Sequence, residues 1–232
     1  MKYYDIVHAR FGKRVNRFIA EVDINGIVEK VHIKNTGRLK ELLKPDAIVL
    51  LERSNNPNRK TEFSLIAVNK EGQWINIDSQ APNTVAYEAL QAGKIMQVGL
   101  PDTVKREVTY GHSRFDLYFE KDDRKGLMEV KGVTLEKDGV AMFPDAPTSR
   151  GTKHVLEMVK AVQEGYIGII LFVIQMKGCR SFAPYWEMDR AFANALQKAS
   201  KEGVEVIAYD SIVQEDELVI DQSIPVHLPR PN

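Results

Sequence analysis

The sequence lacks three features: it has no second cysteine, no long apolar run and no net charge. A single cysteine, Cys179, excludes an intrachain disulfide and a metal site built from several thiolates. The longest apolar stretch, IGIILFVI at residues 167–174, is far shorter than the roughly 20 residues that span a bilayer, so no membrane partner is expected. The first 14 residues contain no apolar signal core, and the cytoplasm is the expected location.

What remains is an ordinary globular composition with an uneven distribution of charge. Of the 232 residues, 44% are hydrophobic and 28% are charged, which excludes a mainly disordered chain. Residues 1–80 contain 14 Lys and Arg against 10 Asp and Glu, a net charge of +4. The rest of the chain contains 18 against 22, a net charge of −4. This asymmetry predicts two domains with different roles, which we place at residues 1–82 and 83–232.

The N-terminal part has the pattern of a small β-barrel. Apolar residues alternate with polar ones on both sides of Asn25-Gly26, which predicts a hairpin with a type I′ turn. Further strands are predicted at residues 47–54 and on both sides of residues 70–72, with a short helix at residues 38–43. Five short strands and one small helix are typical of a Greek-key barrel, of which the oligonucleotide-binding (OB) fold is our first choice. Other small barrels fit the same pattern.

The C-terminal part has an α/β pattern that follows a linker predicted at residues 79–83. Helices are predicted at residues 84–92, 152–164 and 189–202, and strands at residues 104–107, 114–119, 127–135, 140–143, 167–174 and 204–209. The strand at residues 167–174 is apolar on both faces, which indicates a central position in a sheet covered by helices. The order indicates a mixed sheet flanked by helices.

Three side chains on two successive strands form the candidate catalytic set. Asp116 lies on the first strand, on the face opposite Phe115, Leu117 and Phe119. Glu129 and Lys131 lie two residues apart on the second strand and therefore point to the same side. The polar turn between the strands would fold them antiparallel and bring the two carboxylates together.

Such a set suits phosphodiester hydrolysis. Two carboxylates can hold Mg²⁺ or Mn²⁺, which polarises a phosphoryl oxygen and activates water. A neighbouring lysine can orient the water or stabilise the negative charge that develops. The simpler interpretation is a solvated face of a hairpin. The order of helix, three strands, helix and buried strand favours the catalytic interpretation, because it is the core order of the PD-(D/E)XK nuclease fold.

Basic residues of the N-terminal part form the candidate nucleic-acid surface, because OB domains bind strands with a basic groove and stacking aromatic side chains. These candidates are Arg10, Lys13, Arg14, Arg17, Lys34 and Arg38. Phe11 is predicted to stack on bases, whereas Phe18 shares a face with Ala20 and Val22 and is predicted to lie in the core. The alternative is a set of ordinary solvated charges.

Two further segments carry candidate phosphate contacts. The turn at Asn35 and Thr36 would offer backbone amides to a phosphate, or else cap the segment that follows. At the predicted helix start near residue 152, the N-terminus of the helix favours phosphate binding. The candidate side chains there are Thr148, Arg150, Lys153 and His154. The alternative for this segment is a capped loop with Thr152 as the N-cap residue.

Four segments resemble the sugar fermentation stimulation protein A (SfsA) family in their order along the chain. They are HIKNTGRLKELL (32–43), TYGHSRFDLYF (109–119), MEVKGVTL (128–135) and MFPDAPTSRGTKHVLEMV (142–159). The resemblance implies an OB-like domain followed by a PD-(D/E)XK nuclease-like domain, with Asp116, Glu129 and Lys131 as the nuclease-like triad. Glu107 is an additional acidic candidate for the metal. The resemblance also implies DNA binding without strong sequence preference and a regulatory role in sugar (maltose) metabolism.

Two functional hypotheses follow. The first is a phosphodiesterase dependent on Mg²⁺ or Mn²⁺ that acts on single- or double-stranded DNA, with RNA as an alternative. The second is a DNA-binding regulator that keeps a nuclease-like fold but does not cleave. The two carboxylates favour the first hypothesis, because they would repel phosphates unless a cation lay between them.

Overall fold

Residues 1–230 are described by the computed structural model, and the first third of the chain forms a closed β-barrel. Its strands are β1 (Ile6–Arg14), β2 (Ile19–Ile24), β3 (Ile27–Ile33), β4 (Ile48–Arg53), β5 (Phe63–Lys70) and β6 (Gln73–Asn76). They pair in the order β3-β2-β1-β4-β5-β6, and a parallel pairing of β3 with β5 closes five of them into the barrel. This closure confirms the predicted OB type.

The predicted hairpin at Asn25-Gly26 is present. Both residues have positive φ angles, 53° and 86°, as a type I′ turn requires, and Ile24 pairs with Ile27 across the turn. This register points alternate residues of β2 and β3 into the barrel. The buried side chains of the hairpin are Ala20, Val22, Val31 and Ile33.

The prediction of a short helix at residues 38–43 is wrong. Leu39 has a left-handed backbone conformation with a φ angle of 49°, and a single turn follows in which Leu43 N–H donates to the Leu39 carbonyl at 2.8 Å. Leu39 and Leu42 are both buried in the barrel core. The segment therefore contributes two leucines to the barrel core, and the positive φ angle of Leu39 prevents a regular helix.

A mixed sheet covered by helices forms the rest of the chain. Its elements are α1 (Ala81–Gln91), β7 (Thr103–Tyr110), β8 (Ser113–Lys121), β9 (Arg124–Val133), β10 (Leu135–Lys137), β11 (Val140–Phe143), α2 (Ser149–Gln163), β12 (Ile167–Ile174), β13 (Ser181–Pro184), α3 (Arg190–Lys201), β14 (Glu205–Val213) and β15 (Leu218–Ile224). The main sheet has the order β15-β14-β12-β9-β8-β7, and β12 runs parallel to both neighbours. The predicted central strand and the predicted fold class of a mixed sheet flanked by helices are confirmed.

The ends of several elements differ from the sequence prediction. Helix α1 begins at Ala81, inside the predicted linker, because Pro82 fits the first turn, where its missing N–H costs nothing. Helix α2 is capped by Thr148 rather than Thr152, and the Thr148 side chain accepts the N–H of Gly151 at 3.1 Å. The prediction omitted β13, which has four residues, and β15, which lies at the edge of the main sheet. The longest helix, α2, has 15 residues, and within residues 1–230 no helix has the length and apolarity to cross a bilayer.

The two faces of the main sheet carry separate apolar cores. Helix α1 packs on one face with Leu117, Phe119 and Met128, whereas α2 and α3 pack on the other face with Phe115 and Tyr118. The prediction that Phe115, Leu117 and Phe119 share one face is therefore wrong for Phe115. The regular alternation of β8 changes at Asp116, where the strand leaves its partner β9.

Gly126 leaves room for the Phe119 ring on the neighbouring strand, since a methyl group at this position would collide with the ring. We expect Gly126→Ala to lower the free energy of unfolding by about 1–3 kcal/mol through overpacking, as measured by urea denaturation. The exposed neighbour Lys125, replaced with Ala, is the control. In a Phe119→Leu background the cost should shrink, and an equal cost in both backgrounds would contradict this explanation.

Candidate functional site

Strands β8 and β9 separate at Asp116, and its side chain replaces the missing strand contact. Regular pairing ends at Leu117 and Met128. Beyond this point the N–H of Val130 donates to Asp116 Oδ2 at 2.8 Å. The side chain of Asn83 on α1 donates to Asp116 Oδ1 at 2.7 Å. The carboxylate is therefore fixed from two sides at the point where the sheet opens.

Glu129 is buried beside two cationic or polar partners. Its residue exposure is only 2%. Its Oε1 atom lies 2.5 Å from Lys131 Nζ and 2.6 Å from His154 Nδ1. Its Oε2 atom is buried and has no hydrogen-bond partner among residues 1–230. An ionised carboxylate in this setting has one satisfied oxygen and one oxygen free to accept a ligand.

The carboxylates open into a common cleft of about 200 Å³, which we call the carboxylate cleft. Asp116, Glu129 and Lys131 line it together, as the sequence predicted. Glu107 lies at its edge, is exposed and pairs with Arg114 at 3.4 Å, so it is not part of the buried carboxylate set.

The two buried carboxylates differ in acidity. Burial and the nearby charge of Glu129 raise the pKa of Asp116 above its ordinary value. Burial also acts to raise the pKa of Glu129, but the hydrogen bond from His154 and the charge of Lys131 outweigh it and the pKa is lowered. The cleft thus holds Glu129 ionised and makes the charge on Asp116 unfavourable in the absence of a further cation.

This arrangement fits a divalent cation. The free Glu129 Oε2 and the unfavourable charge on Asp116 would both be relieved by a positive ion. Within residues 1–230, no group of three His, Cys, Asp or Glu side chains could hold a metal. An ion at this position would therefore rely on two carboxylates and on water or backbone oxygens. Such a donor set suits Mg²⁺, which usually keeps several waters.

The structure places the four helix-start candidates in different roles. Arg150 is exposed and lines the carboxylate cleft, and Lys153 is exposed near the carbonyl of His112. His154 is buried against Glu129, so it is not a free phosphate contact as the sequence predicted. Thr148 uses its side chain to cap α2. Its hydroxyl is therefore engaged, and Arg150 is the candidate that faces the cleft.

Two of the basic barrel candidates have structural partners instead. The Arg14 guanidinium donates to several backbone carbonyls, among them that of Arg17 at 2.8 Å and that of Asn35 at 2.7 Å. Lys34 donates to the buried carboxylate of Asp78 at 2.7 Å. Arg14 and Lys34 therefore make contacts within the fold in place of the predicted contacts with phosphate.

The other barrel candidates lie on the surface, with one exception. Arg10, Arg17, Thr36 and Arg38 are exposed, and Lys13 is exposed and paired with Glu21 at 3.2 Å. Asn35 is half-buried and its Oδ1 accepts the N–H of Gly37 at 2.8 Å. Its side chain therefore shapes the turn, and the exposed members of the set remain candidates.

The two phenylalanines have the reverse of their predicted positions. Phe11 is 3% exposed and belongs to the barrel core, whereas Phe18 is 48% exposed. Phe11 pairs with Val22 just before a bulge in β1, and this register points it inward. Phe18 precedes the first residue of β2, so the alternation of that strand does not extend to it. The prediction of Phe11 as the stacking residue is wrong.

Sequence reasoning did not find Asn83 or the contact of His154 with Glu129. Asn83 lay in the predicted linker, and no local motif connects it with Asp116, which is 33 residues away. His154 was found as a basic residue near a helix start, but its partner is 25 residues away. Only the folded topology brings these groups together.

Two family models match the chain. The one described as "Sugar fermentation stimulation protein RE domain" matches residues 80–217, and "SfsA N-terminal OB domain" matches residues 13–77. A sugar fermentation stimulation protein homolog of Alkaliphilus oremlandii (strain OhILAs) is 56% identical over 231 residues, which cover 97% of this chain and 98% of the relative. A homolog of Clostridium novyi (strain NT) is 47% identical over 98% of this chain and 100% of the relative.

A solved structure is similar to almost the whole chain. The structure of Pyrococcus furiosus SfsA in complex with Ca²⁺ matches with a TM-score of 0.88 and 27% sequence identity. The match covers 98% of each chain. Both parts of the fold therefore have a counterpart in one solved protein.

Proposed function

The chain belongs to the sugar fermentation stimulation protein (SfsA) family, and on that basis we propose that it is a DNA-binding phosphodiesterase dependent on a divalent cation. The observation that carries the proposal is the carboxylate cleft, where Asp116, Glu129 and Lys131 meet and the buried Glu129 Oε2 has no partner within residues 1–230. A protein that only binds DNA gains nothing from two recessed carboxylates, because they repel phosphate.

Asp116 and Glu129 would hold the cation, which is Mg²⁺ or Mn²⁺ in this proposal. When bound, the ion supplies Lewis-acid polarisation of a phosphoryl oxygen and a lowered pKa of water. The structure of Pyrococcus furiosus SfsA is a complex with Ca²⁺, another cation that prefers oxygen ligands. This supports a hard divalent cation in the same family.

The chain's own side chains have separable roles. Lys131 places an ammonium beside the carboxylates, where it can orient the attacking water or stabilise charge that develops on the phosphate. Arg150, exposed at the cleft, can bind a nonbridging phosphate oxygen through its guanidinium. His154 also lines the cleft, but its Nδ1 atom lies 2.6 Å from Glu129 Oε1, and in this proposal it acts as a positioning residue that fixes the carboxylate.

A non-cleaving DNA-binding regulator of sugar (maltose) metabolism is the second candidate function. It is favoured by the contacts of Asp116, because both of its carboxylate oxygens already accept N–H groups, from Asn83 and from Val130. In that case the cleft would be a cation-dependent contact to DNA without turnover. RNA is an alternative ligand for either function, because an OB barrel does not by itself select the sugar.

We expect purified protein to cleave labelled single- or double-stranded DNA with Mg²⁺ or Mn²⁺ but not with EDTA. Lys131→Ala should lower the rate by roughly 10²–10³-fold, because it removes charge stabilisation of the transition state. Lys125→Ala, on the same strand but exposed, is the matched control and should keep full activity. RNA is tested in parallel. Binding without cleavage on every substrate would contradict the enzyme proposal and favour the regulator.

A further inference from the structure

The loop between β1 and β2 presents an exposed aromatic ring on a fixed backbone. Phe18 N–H donates to Asn16 Oδ1 at 2.8 Å, and the Phe18 carbonyl accepts the N–H of Ile33 at 2.7 Å. Phe18 is 48% exposed as a residue, and the Arg17 guanidinium lies 5.6 Å from the centre of its ring. The position of this ring is therefore set by the barrel although the ring faces solvent.

A basic pocket lies beside this loop, and we call it the barrel pocket. It has a volume of about 330 Å³ and includes Arg17, Thr36, Arg38 and Lys40. Among residues 1–230, the side chains of Arg17, Arg38 and Lys40 form no ion pair with an acidic group. Arg14 also lines the pocket, but its guanidinium donates hydrogen bonds to backbone carbonyls. The pocket thus combines rigid backbone with free positive charge.

The barrel pocket adjoins a cleft between the two domains. An interdomain cleft of about 170 Å³ shares Thr36 and Gly37 with the barrel pocket. It continues to Gly132, which follows Lys131 of the carboxylate cleft on β9. At the junction Gly37 lies so close to the Asp145 carboxylate that a methyl group there would collide with it. The barrel pocket therefore adjoins an interdomain cleft whose β9 residues begin one position after Lys131.

We propose that Phe18 and the basic side chains of the barrel pocket bind an unstacked nucleobase and the adjacent phosphates of a single strand that reaches the carboxylate cleft. An exposed aromatic ring beside free cations is the combination with which proteins bind single strands without sequence preference.

This inference rests on the proposed function only in assuming a nucleic-acid ligand, and it is tested by binding alone. Dissociation constants are measured in EDTA for single-stranded DNA and RNA oligonucleotides, an abasic DNA strand of the same length, and a duplex. Phe18→Ala should weaken binding of either base-containing strand roughly fivefold to 100-fold, because stacking contributes ~1–3 kcal/mol per base. Phe18→Trp should retain the binding of these strands, because its side chain also offers a ring for stacking.

The controls isolate stacking from charge and folding. Phe18→Ala should leave the abasic strand and the duplex unaffected, because neither offers a free base. Tyr4→Ala removes another exposed ring, beyond the opposite end of β1, and should change nothing. Arg38→Ala should lower the salt dependence by about 0.7 in the log–log slope for a single strand, as expected for one lost phosphate contact.

Equal loss on base-containing and abasic strands, or unchanged binding of both, would overturn the inference. The dissociation constants of the wild-type protein for the DNA and RNA strands identify the preferred sugar. A protein that binds through Phe18 but never cleaves would disprove the enzyme proposal and leave this inference standing. If the protein cleaves but Phe18→Ala does not change binding, this inference is overturned and the enzyme proposal stands.

Discussion

Glu129→Gln is expected to abolish cation-dependent cleavage, lowering the rate roughly 10³-fold or more, while the protein stays folded. The substitution keeps the shape of the side chain but removes the charge that would hold the ion. It also leaves Lys131 and His154 without the carboxylate oxygen to which both bond, at 2.5 Å and 2.6 Å. The measurement is the cleavage rate at saturating Mg²⁺ and Mn²⁺, with Lys125→Ala as the active control.

Melting temperatures provide an independent check of the same residue. A cation at 100 times its dissociation constant stabilises the folded protein by about 2.7 kcal/mol. For a protein of this size that corresponds to roughly 5–10 °C. Glu129→Gln and Asp116→Asn should both lose this shift, because each removes one of two carboxylates. A shift of wild-type size in both variants would contradict the metal site.

In EDTA the two variants should differ in the size of their effect on stability. The pKa of Glu129 is lowered, so its ionised form contributes stability at pH values above the unfolded pKa, and this contribution is lost as the pH falls. Glu129→Gln should therefore destabilise the metal-free protein at neutral pH. The pKa of Asp116 is raised by burial and by the charge of Glu129, so its ionised form costs stability at neutral pH. Asp116→Asn removes this cost but also replaces one of the two oxygens that accept N–H groups from Asn83 and Val130, so it should destabilise the metal-free protein less than Glu129→Gln does.

Local turn chemistry explains why much of the fold could be predicted. Asn25-Gly26 and Asp138-Gly139 adopt the positive φ angles that their residue types favour. The first joins the two strands predicted beside it, and the second joins β10 to β11. The strands β13 and β15 could not be found in this way, because one has four residues and the other is an edge strand with exposed polar positions. Their formation depends on partners far along the chain.

The candidate site shows the same limit. The spacing of Glu129 and Lys131 on one strand placed both in the cleft, because side-chain direction along a strand has a period of two. The reversal of Phe11 and Phe18 depends on a β-bulge and on the start of β2, which no alternation of residue types reveals. Similarly, the engagement of Arg14 and Lys34 comes from carbonyls and a carboxylate that only the closed barrel brings close.

Lys34→Met is expected to destabilise the protein by roughly 3–5 kcal/mol, because it leaves the carboxylate of Asp78 buried without its cation. Asp78 has no exposed surface and lies 2.7 Å from Lys34 Nζ. It lies at the junction of the domains, where Gln175 donates to Asn76 Oδ1 at 2.7 Å and to the Asp78 carbonyl at 3.1 Å. The free energy of unfolding is measured with urea, and Lys30→Met, at an exposed position on β3, should change it by no more than about 0.5 kcal/mol.

The double variant Lys34→Met/Asp78→Asn separates a structural role from a binding role. If Lys34 serves mainly to neutralise Asp78, removal of both charges should recover a large part of the stability lost in Lys34→Met. Nucleic-acid affinity at temperatures where the variant is folded should then stay close to that of wild type. If Lys34 instead binds phosphate, the single variant should keep its stability and lose affinity with a smaller salt dependence. The two outcomes differ in both measurements, because a cation occupied by a buried carboxylate cannot also neutralise a phosphate.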